Sequence, residues 1–304
     1  MKLQEIVANG SSVRLIDLAL DRVLAGEIQT RLIKLGCLDP PADGDFGTVS
    51  RFVLGEYAKQ VGIAFDETID SLLAQSLLDH SEDTFIPMTL GNDFASRIIK
   101  YMQLRNFWIA RLPGFLNIVY VEGANEDGQP NDDEFNKFND RRLVIAIEDG
   151  KPSIKLNVLA TTEPGKFFTE NPLNPNGAAR IAFGQYKAWR VGTHHPSKDP
   201  PSRHEALVQV GELSVHRDLN KDGKRIGDKI DVGSAFFINQ HSGHNAPADN
   251  IGHASAGCLV GRSSDEHKEF MKLVKTDPRF KKATNGYKYV STVIAGDNLK
   301  ETIG

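Results

Sequence analysis

The sequence predicts an α+β fold in two domains, an N-terminal three-helix bundle followed by a mainly β domain. The chain has 304 residues, 40% of them apolar and 25% charged, a globular balance in a length that suits two units of unequal size. Leucines recur at helical spacing early in the chain, whereas beyond residue 117 the apolar residues alternate with a period of two. These patterns place the helical domain at 1–80, connecting helices at 81–116 and the β-rich domain at 117–304.

Charge balance and hydropathy exclude two classes of partner. The chain has 36 Lys and Arg against 40 Asp and Glu, which leaves a net charge of −4 and no chain-wide basic field for a nucleic acid. No apolar run approaches the roughly eighteen residues of a membrane span, so no membrane insertion is expected. Glu5, Arg14 and Asp17 interrupt the stretch where a secretory signal would lie, so Sec-type export is not expected.

The first domain is predicted from an apolar stripe and a turn. Ile28, Leu32 and Leu35 lie on one face of a helix that Gly36 is placed to end. The turn at 43–47, Asp-Gly-Asp-Phe-Gly, contains glycines that allow a positive φ, and its phenylalanine can fold back onto the helices. A further helix is predicted from about Ser50 to Gln60.

Segments 28–37 and 43–47 together resemble the three-helix peptidoglycan-binding repeat found on wall enzymes. The resemblance implies that glycan is a partner of this domain. Cys37 stands where that family usually carries an aromatic residue, so a buried and unreactive thiol is expected there. Any three-helix bundle could use the same stripe and turn, which leaves a bundle without a ligand as the alternative.

The second domain is predicted from strand patterns and one hairpin turn. Asp149-Gly150 separates alternating runs at 143–147 and 154–158, which is typical of a tight β-hairpin. The acidic stretch 124–140 lacks periodicity and is predicted to be a surface loop. The remaining elements are predicted as strands at 178–191, 205–216, 234–240 and 288–295 and as a helix near 264–276.

The residues best suited to chemistry concentrate in the β-rich half. Eight of the nine histidines, together with Cys258, lie between positions 194 and 267. Cys258 follows Ser255-x-Gly257, and His241 precedes it by 17 residues at the end of an apolar run. An imidazole beside a thiol favours the nucleophilic thiolate, and amides at a glycine can donate to an oxyanion. We therefore predict that Cys258 is a nucleophile with His241 as its base, that the amides of Gly257 and Cys258 bind the oxyanion, and that Ser255 orients the loop.

The spacing from His241 to the segment 255–258, Ser-Ala-Gly-Cys, resembles the catalytic motif of L,D-transpeptidases of the YkuD type. In that family a histidine is followed, some fourteen to seventeen residues later, by Ser/Thr-His-Gly-Cys. The hairpin 143–158 and the segment 160–165 are similar to the opening strands of the same domain, so the resemblance spans about 140–296. It implies a mainly β, L,D-transpeptidase-like catalytic domain in which Cys258 forms an acyl-thioester.

Two departures from that motif bear on the substrate. Ala256 replaces the histidine next to the motif glycine, and Val260 stands where many members carry an arginine that meets a substrate carboxylate. Arg262, two residues later, can substitute for that arginine. Ser242 and His253 are further candidate substrate-binding residues.

Metal binding is the rival chemistry. His241, His244, His253 and Cys258 offer zinc ligands, but the run has one cysteine and lacks the short paired spacing of structural zinc sites. A second possible set lies in a segment predicted to form a loop bordering the cleft, and it consists of His194, His195 and His204.

Segment 218–223 repeats the D-x-N-x-D-G opening of a calcium loop. Lys229 stands where an EF-hand places its bidentate glutamate, and a turn rich in Asp and Asn explains the same residues without an ion. No cofactor is expected apart from this calcium ion, for which the candidate ligands are Asp218, Asn220, Asp222 and Asp228.

Together these patterns predict a peptidoglycan-directed cysteine enzyme. By the two resemblances it acts on stem peptides through an acyl-thioester, as an L,D-transpeptidase or as an L,D-carboxypeptidase or endopeptidase. The missing signal favours wall hydrolysis of the lysin or effector type. Such a protein is made in the cytoplasm and reaches the wall or periplasm by non-Sec delivery or lysis, with a phage or secretion machine as candidate partner. The alternative is a non-catalytic protein on the same fold, either wall-binding or structural in a phage tail or secretion machine.

Overall fold

The computed structural model describes residues 1–283 and 286–302. Its fold is α+β, with one large mixed β-sheet and several helices. The α-helices are α1 (Leu3–Asn9), α2 (Arg22–Lys34), α3 (Thr48–Gln60), α4 (Ser71–Asp79), α5 (Glu82–Phe85), α6 (Phe94–Leu104), α7 (Lys166–Glu170), α8 (Ser264–Val274) and α9 (Pro278–Ala283). Short 3-10 helices cover Leu15–Leu20 and Gly296–Thr302.

Helices α1 to α4 pack around one apolar core. The carboxylate of Asp21 caps α2 by accepting the Leu24 N–H at 3.0 Å, and the helix ends before Gly36, whose φ of +70° is the left-handed conformation expected there. Ile28 and Leu32 are fully buried, as predicted. The same core includes residues from segment 108–115, so a bundle of three helices and a boundary at residue 80 both stay predictions.

Gln29 of α2 holds the predicted turn at 43–47 in place. Its Oε1 accepts the Gly44 N–H at 2.7 Å, while its Nε2 donates to Asp43 Oδ1 and to the Asp45 carbonyl, each at 2.9 Å. Phe46 folds back into the core with 9% of its surface exposed. The turn is therefore built as the sequence predicted, with a buried glutamine satisfying its backbone.

The strands are β1 (Val13–Arg14), β2 (Thr68–Ile69), β3 (Leu116–Glu122), β4 (Asp140–Glu148), β5 (Lys151–Thr161), β6 (Ala178–Ile181), β7 (Gly184–His194), β8 (His204–Gln209), β9 (Leu213–Asp218), β10 (Lys229–Gly233), β11 (Gln240–Ser242), β12 (Leu259–Gly261) and β13 (Tyr289–Ala295). In the described part of the chain these strands form three sheets. Eight of them follow the order β11-β12-β5-β4-β3-β13-β7-β8, and β11 also pairs with β8, so this sheet closes on itself. It is mixed, because the pairs β11/β12 and β3/β13 are parallel and the others antiparallel. Strand β9 lies between β10 and β6 in a second sheet, and β1 pairs with β2.

The strand predictions are mostly confirmed, with one correction. Asp149 and Gly150 have φ of +48° and +74° between β4 and β5, as a tight hairpin turn requires. The segments 178–191 and 205–216 each contain two strands rather than one. The strand predicted at 234–240 is wrong over nearly all of its length, since β10 ends before it, β11 begins at its last residue, and Phe237 within it has φ +58°.

Buried ion pairs join the N-terminal part of the chain to the closed sheet. Arg279 of α9 pairs with Asp277 at 2.6 Å and with Asp39 at 3.2 Å, and all three side chains are almost completely buried. Lys187 of β7 also pairs with Asp39, at 2.7 Å. The Arg279 guanidinium lies over the Phe115 ring, 4.6 Å from its centroid. This junction is stable only while each buried charge keeps its partner.

Neither cysteine forms a disulfide, and Cys37 is fully buried as predicted. Burial raises the pKa of the Cys37 thiol far above its usual value, which fits an inert side chain. Within 1–283 and 286–302, no helix combines the length and the apolar character that crossing a bilayer requires.

Candidate active site

Cys258 and His241 lie on two neighbouring parallel strands. In β11 and β12 His241 pairs with Val260, and Cys258 directly precedes β12. Because side chains alternate along a strand, Cys258 and Val260 face the same side of the sheet as Asn239 and His241. The predicted nucleophile and base thereby line one cavity of about 900 Å³.

The sulfur of Cys258 is held by backbone groups. Its S–H donates to the Phe237 carbonyl at 3.4 Å, and the sulfur accepts the Asn239 N–H at 3.4 Å. Phe237 is in the left-handed region with its ring exposed, a strained conformation for an aromatic residue. Burial raises the pKa of the Cys258 thiol to about 11. The expected shift of this thiol towards thiolate is therefore wrong for the resting site.

The His241 ring is oriented as a base should be. Its Nδ1 lies 2.9 Å from the Ser242 carbonyl, and because a carbonyl can only accept, Nδ1 carries the proton and Nε2 the free lone pair. The ring stacks on His194 with centroids 3.9 Å apart. Burial, and then the neighbouring His194, lower the pKa of His241 well below its usual value. Among the residues that the structure describes, no hydrogen bond joins this imidazole to Cys258.

Asn239 connects the thiol to a cluster of histidines. Besides its N–H bond to the sulfur, its Nδ2 donates to His194 Nδ1 at 2.9 Å and its Oδ1 accepts the Gln209 N–H at 2.9 Å. His194 ends β7 and pairs with His204 at the start of β8. His204 Nε2 in turn accepts the Ser242 N–H at 3.1 Å. The sequence predicted a loop for both histidines, whereas they lie at strand ends. The strand predicted at 178–191 was the available signal, and β7 continues three residues beyond it to His194.

Arg142 is a supporting residue that the sequence reasoning missed. It is fully buried inside the closed sheet, and its Nη2 donates to the carbonyls of His241 at 3.1 Å and Leu259 at 3.0 Å. Its Nε donates to the Tyr120 hydroxyl at 2.6 Å. One guanidinium thus ties the two strands that carry the candidate base and nucleophile. Nothing in the sequence marks it, because an arginine in a strand is usually exposed.

The turn before Cys258 depends on Ser255 and Gly257. The Ser255 hydroxyl donates to the Cys258 carbonyl at 2.9 Å and accepts the Gly257 N–H at 3.1 Å. Gly257 has φ +122°, and a Cβ there would lie 2.2 Å from the Ala179 carbonyl oxygen. Since the Gly257 amide is already bonded to Ser255, it reaches an oxyanion only if that bond opens.

The three predicted substrate-binding residues have different positions. Ser242 and His253 line the large cavity, and the His253 ring lies 4.0 Å from that of Phe167. Arg262 is not among the residues that line the cavity, and its Nη1 donates to the Ala246 carbonyl at 3.1 Å. Arg217 lines the cavity instead, although the sequence reasoning did not single it out.

A buried charged cluster lies behind the turn. Arg180 pairs with Glu163 at 3.0 Å and with Glu122 at 3.1 Å. Burial raises the pKa of Glu163 to about 8 although Arg180 opposes the shift. Burial also opposes ionisation of Glu122, but two guanidinium groups outweigh it and lower that pKa to about 2. Near Glu163, the Gly165 N–H donates to the Ser255 carbonyl at 2.9 Å, so this cluster borders the turn before the candidate nucleophile.

The candidate calcium loop uses its oxygens to hold its own backbone. Asp218 accepts the N–H groups of Asp222 at 3.1 Å and Gly223 at 2.9 Å, and Asp222 accepts that of Lys224 at 2.8 Å. This is the turn that the sequence offered as the alternative, and calcium binding stays a prediction. In the described part of the chain, no three His, Cys, Asp or Glu side chains are arranged to hold a metal ion.

Comparison with known proteins leaves the chain without an assigned family. No family model matches it. No curated protein matches it either. Among solved structures it is similar to a fused Zn-dependent amidase/peptidase/peptidoglycan-binding domain-containing protein from Clostridium acetobutylicum ATCC 824. The two chains share 10% identity and a TM-score of 0.26, with 93% of this chain and 99% of the other covered. A TM-score of that size does not indicate a shared fold.

Proposed function

We propose that the protein is a cysteine-dependent acyltransferase or peptidase that acts on a peptide carbonyl. One observation carries the proposal. Cys258 and His241 line the same cavity from adjacent parallel strands, with the Nε2 lone pair of His241 left unprotonated by the bond from Nδ1 to Ser242. A cavity of about 900 Å³ has room for a short peptide.

The reaction follows from these groups. The Cys258 thiol loses its proton to His241 Nε2, and the sulfur attacks the carbonyl carbon to form a tetrahedral oxyanion. The Cys258 N–H, which makes no hydrogen bond to any described residue, is the available donor for that oxyanion. The amide C–N bond breaks as the His241 imidazolium protonates the leaving amine, which leaves an acyl-thioester. An amine or a water molecule then gives a proton to His241 and attacks the thioester carbonyl, the C–S bond breaks, and His241 returns the proton to the sulfur, which restores the Cys258 thiol. An amine acceptor gives a new amide, and water gives a carboxylate.

The resting pair is neutral, since burial disfavours both the thiolate and the imidazolium. The thiol must leave the Phe237 carbonyl before its proton can reach His241. A substrate that fills the cavity excludes water, and its developing oxyanion draws the proton from the sulfur. Proton transfer is therefore coupled to attack in this proposal rather than completed beforehand.

We further propose that the peptide is a peptidoglycan stem and that the helical part binds glycan. The support is the resemblance of the segment 255–258, of the His241 spacing and of the turn at 43–47 to wall-enzyme motifs. The site of action would then be the bacterial wall. Wall hydrolysis and crosslinking share the acyl-thioester and differ only in the acceptor.

Incubation with purified muropeptides tests the proposal. Mass spectrometry should show shortened or joined stems with the wild type and with Cys37→Ala, and no product with Cys258→Ala or His241→Gln. A single-turnover sample quenched in acid should contain protein heavier by one acyl group. Turnover by the Cys258→Ala variant would overturn the cysteine mechanism.

A second candidate is a non-catalytic wall-binding protein. The observation that favours it is the S–H bond to the Phe237 carbonyl, together with the high pKa of the thiol. Such a protein would bind insoluble wall sacculi equally well as wild type and as Cys258→Ala, with no product from any muropeptide.

A further inference from the structure

A second cavity, of about 470 Å³, adjoins the candidate active site. The segment before β8, the end of β11 and one face of α8 form its walls. Ser242 and His244 line both cavities and form the wall between them.

Cationic side chains dominate this lining. Lys268 and Lys272 lie on one face of α8, and Lys275, the C-cap residue of that helix, continues the same face at i+7. Arg203 lines the opposite wall. Among the described residues of the lining, Glu205 is the one carboxylate, and it is paired with Lys275 at 2.8 Å. Glu205 and the aspartate Asp265 on α8 offset two of these four cations, and the other two leave the cavity with an excess of positive charge.

Two of these cations have no ionic partner in the described structure. Lys268 pairs with an aspartate on its own helix at 2.8 Å. Neither Arg203 nor Lys272 has a carboxylate within 4.0 Å among residues 1–283 and 286–302. Lys268 and Lys272 are like charges four residues apart on α8, and such a pair destabilises a helix. An anion bound beside Lys272 would offset this repulsion.

The histidines of the cavity do not add fixed charge. His204 accepts the Ser242 N–H, and the His267 Nε2–H donates to the Glu205 carbonyl at 2.8 Å, so hydrogen bonds hold both rings in a neutral tautomer. The ring of His244 makes no hydrogen bond to a described residue. His244 therefore remains available as a donor, and it can report a nearby anion by its titration.

We propose that this cavity is a binding site for the anionic group of a small ligand, a carboxylate or a phosphate, held by Arg203 and Lys272. Arginine matches both groups with paired N–H donors, and lysine adds a point charge. Met271, Pro200 and Pro201 supply apolar surface against which the body of the ligand can pack. Through the shared wall, a bound anion lies beside the cavity that holds Cys258.

Calorimetry on the full chain, with inorganic phosphate and with glutarate as separate probes, tests this site. We expect saturable binding of at least one probe, weakened at least about tenfold by Lys272→Glu or Arg203→Glu and retained by Lys272→Arg. Lys34→Glu is the matched control, because Lys34 is an exposed lysine of α2 and its reversal changes the net charge equally. Tighter binding of phosphate identifies a phosphate-bearing ligand, and tighter binding of glutarate a carboxylate.

Histidine NMR gives a second readout. Burial, followed by neighbouring imidazoles, lowers the pKa of His244, and the bound anion should raise it in the wild type but not in Lys272→Glu. Absence of binding by both probes, or an equal loss in Lys34→Glu, would overturn the proposal. Because both assays measure binding, their result does not depend on turnover at Cys258.

Discussion

Cys258 should react slowly with iodoacetamide at neutral pH even though it lines a large cavity. The experiment uses the Cys37→Ala variant, so that mass spectrometry counts alkylation of one sulfur, and follows the rate from pH 7 to pH 10. The sulfur is half-buried and its pKa is raised to about 11, because burial penalises the thiolate more than the Asn239 N–H stabilises it. The thiolate is the reactive form, so the rate reports its population.

The size of the effect follows from that pKa. At pH 7 a thiol of pKa about 11 is thiolate in about one molecule in 10⁴, against about 3% for a free thiol of pKa 8.5, a deficit of about 300-fold. The more basic thiolate is intrinsically more reactive, with a Brønsted slope of about 0.4–0.5 that recovers about 10- to 18-fold. We therefore expect labelling about 20- to 30-fold slower than for a free thiol, rising nearly tenfold for each pH unit.

His241→Gln provides the internal comparison. Since no hydrogen bond joins His241 to the sulfur in the described structure, the variant should label within about twofold of its parent while losing acyl transfer. A labelling midpoint near neutral pH that disappears in His241→Gln would refute the reasoning. It would mean that a thiolate–imidazolium pair already exists in the resting protein.

Three further predictions concern stability and are measured by chemical denaturation. Gly257→Ala should lower the free energy of unfolding by more than about 3 kcal/mol, because the new Cβ would lie 2.2 Å from a backbone oxygen. Gly10 also has a positive φ but open space around it, so Gly10→Ala should cost about 1–2 kcal/mol. Equal losses in the two variants would contradict the close contact at Gly257. Burial raises the pKa of Glu163 to about 8, so its contribution to the free energy of unfolding is complete below its unfolded pKa and is lost as the pH rises through the folded value. Between pH 6 and 8 the free energy of unfolding of the wild type should fall by about 2 kcal/mol, whereas that of Glu163→Gln should not show this slope. Arg279→Ala leaves the buried carboxylate of Asp277 without its ion pair and leaves Asp39 with Lys187 alone, so it should cost about 3–5 kcal/mol. Arg14→Ala, which breaks an exposed pair, should change stability within error, and similar values for both would argue against the buried junction.

Local patterns predicted the local structure well. The stripe containing Ile28 and Leu32, the stop at Gly36 and the hairpin at Asp149-Gly150 each depend on neighbours within a few residues, and each is present. The strand predicted at 234–240 failed because Phe237 has a left-handed backbone conformation that its residue type disfavours. The carbonyl of Phe237 accepts the S–H of Cys258, which lies 21 residues later in the chain, and no local sequence pattern reveals such a contact.

In the candidate site, too, some features were predictable from the sequence and others depend on distant contacts. Residue type, spacing and the resemblance to a family motif singled out Cys258 and His241, and all three are properties of the sequence. Their protonation states were not predictable, because desolvation depends on everything packed around a group. Arg142 and Asn239 were missed for a related reason, as each acts through contacts with residues far away in the chain.

The α+β class, the helical stripe, the hairpin and the candidate nucleophile and base were predictable from residue types at short spacing. Contacts between distant parts of the chain close the sheet, keep the thiol and the imidazole neutral at rest, and gather four cations in a cavity beside them. Closure and burial bring together groups that are distant in the chain, and the energy of a charge depends on that environment rather than on its neighbours in sequence.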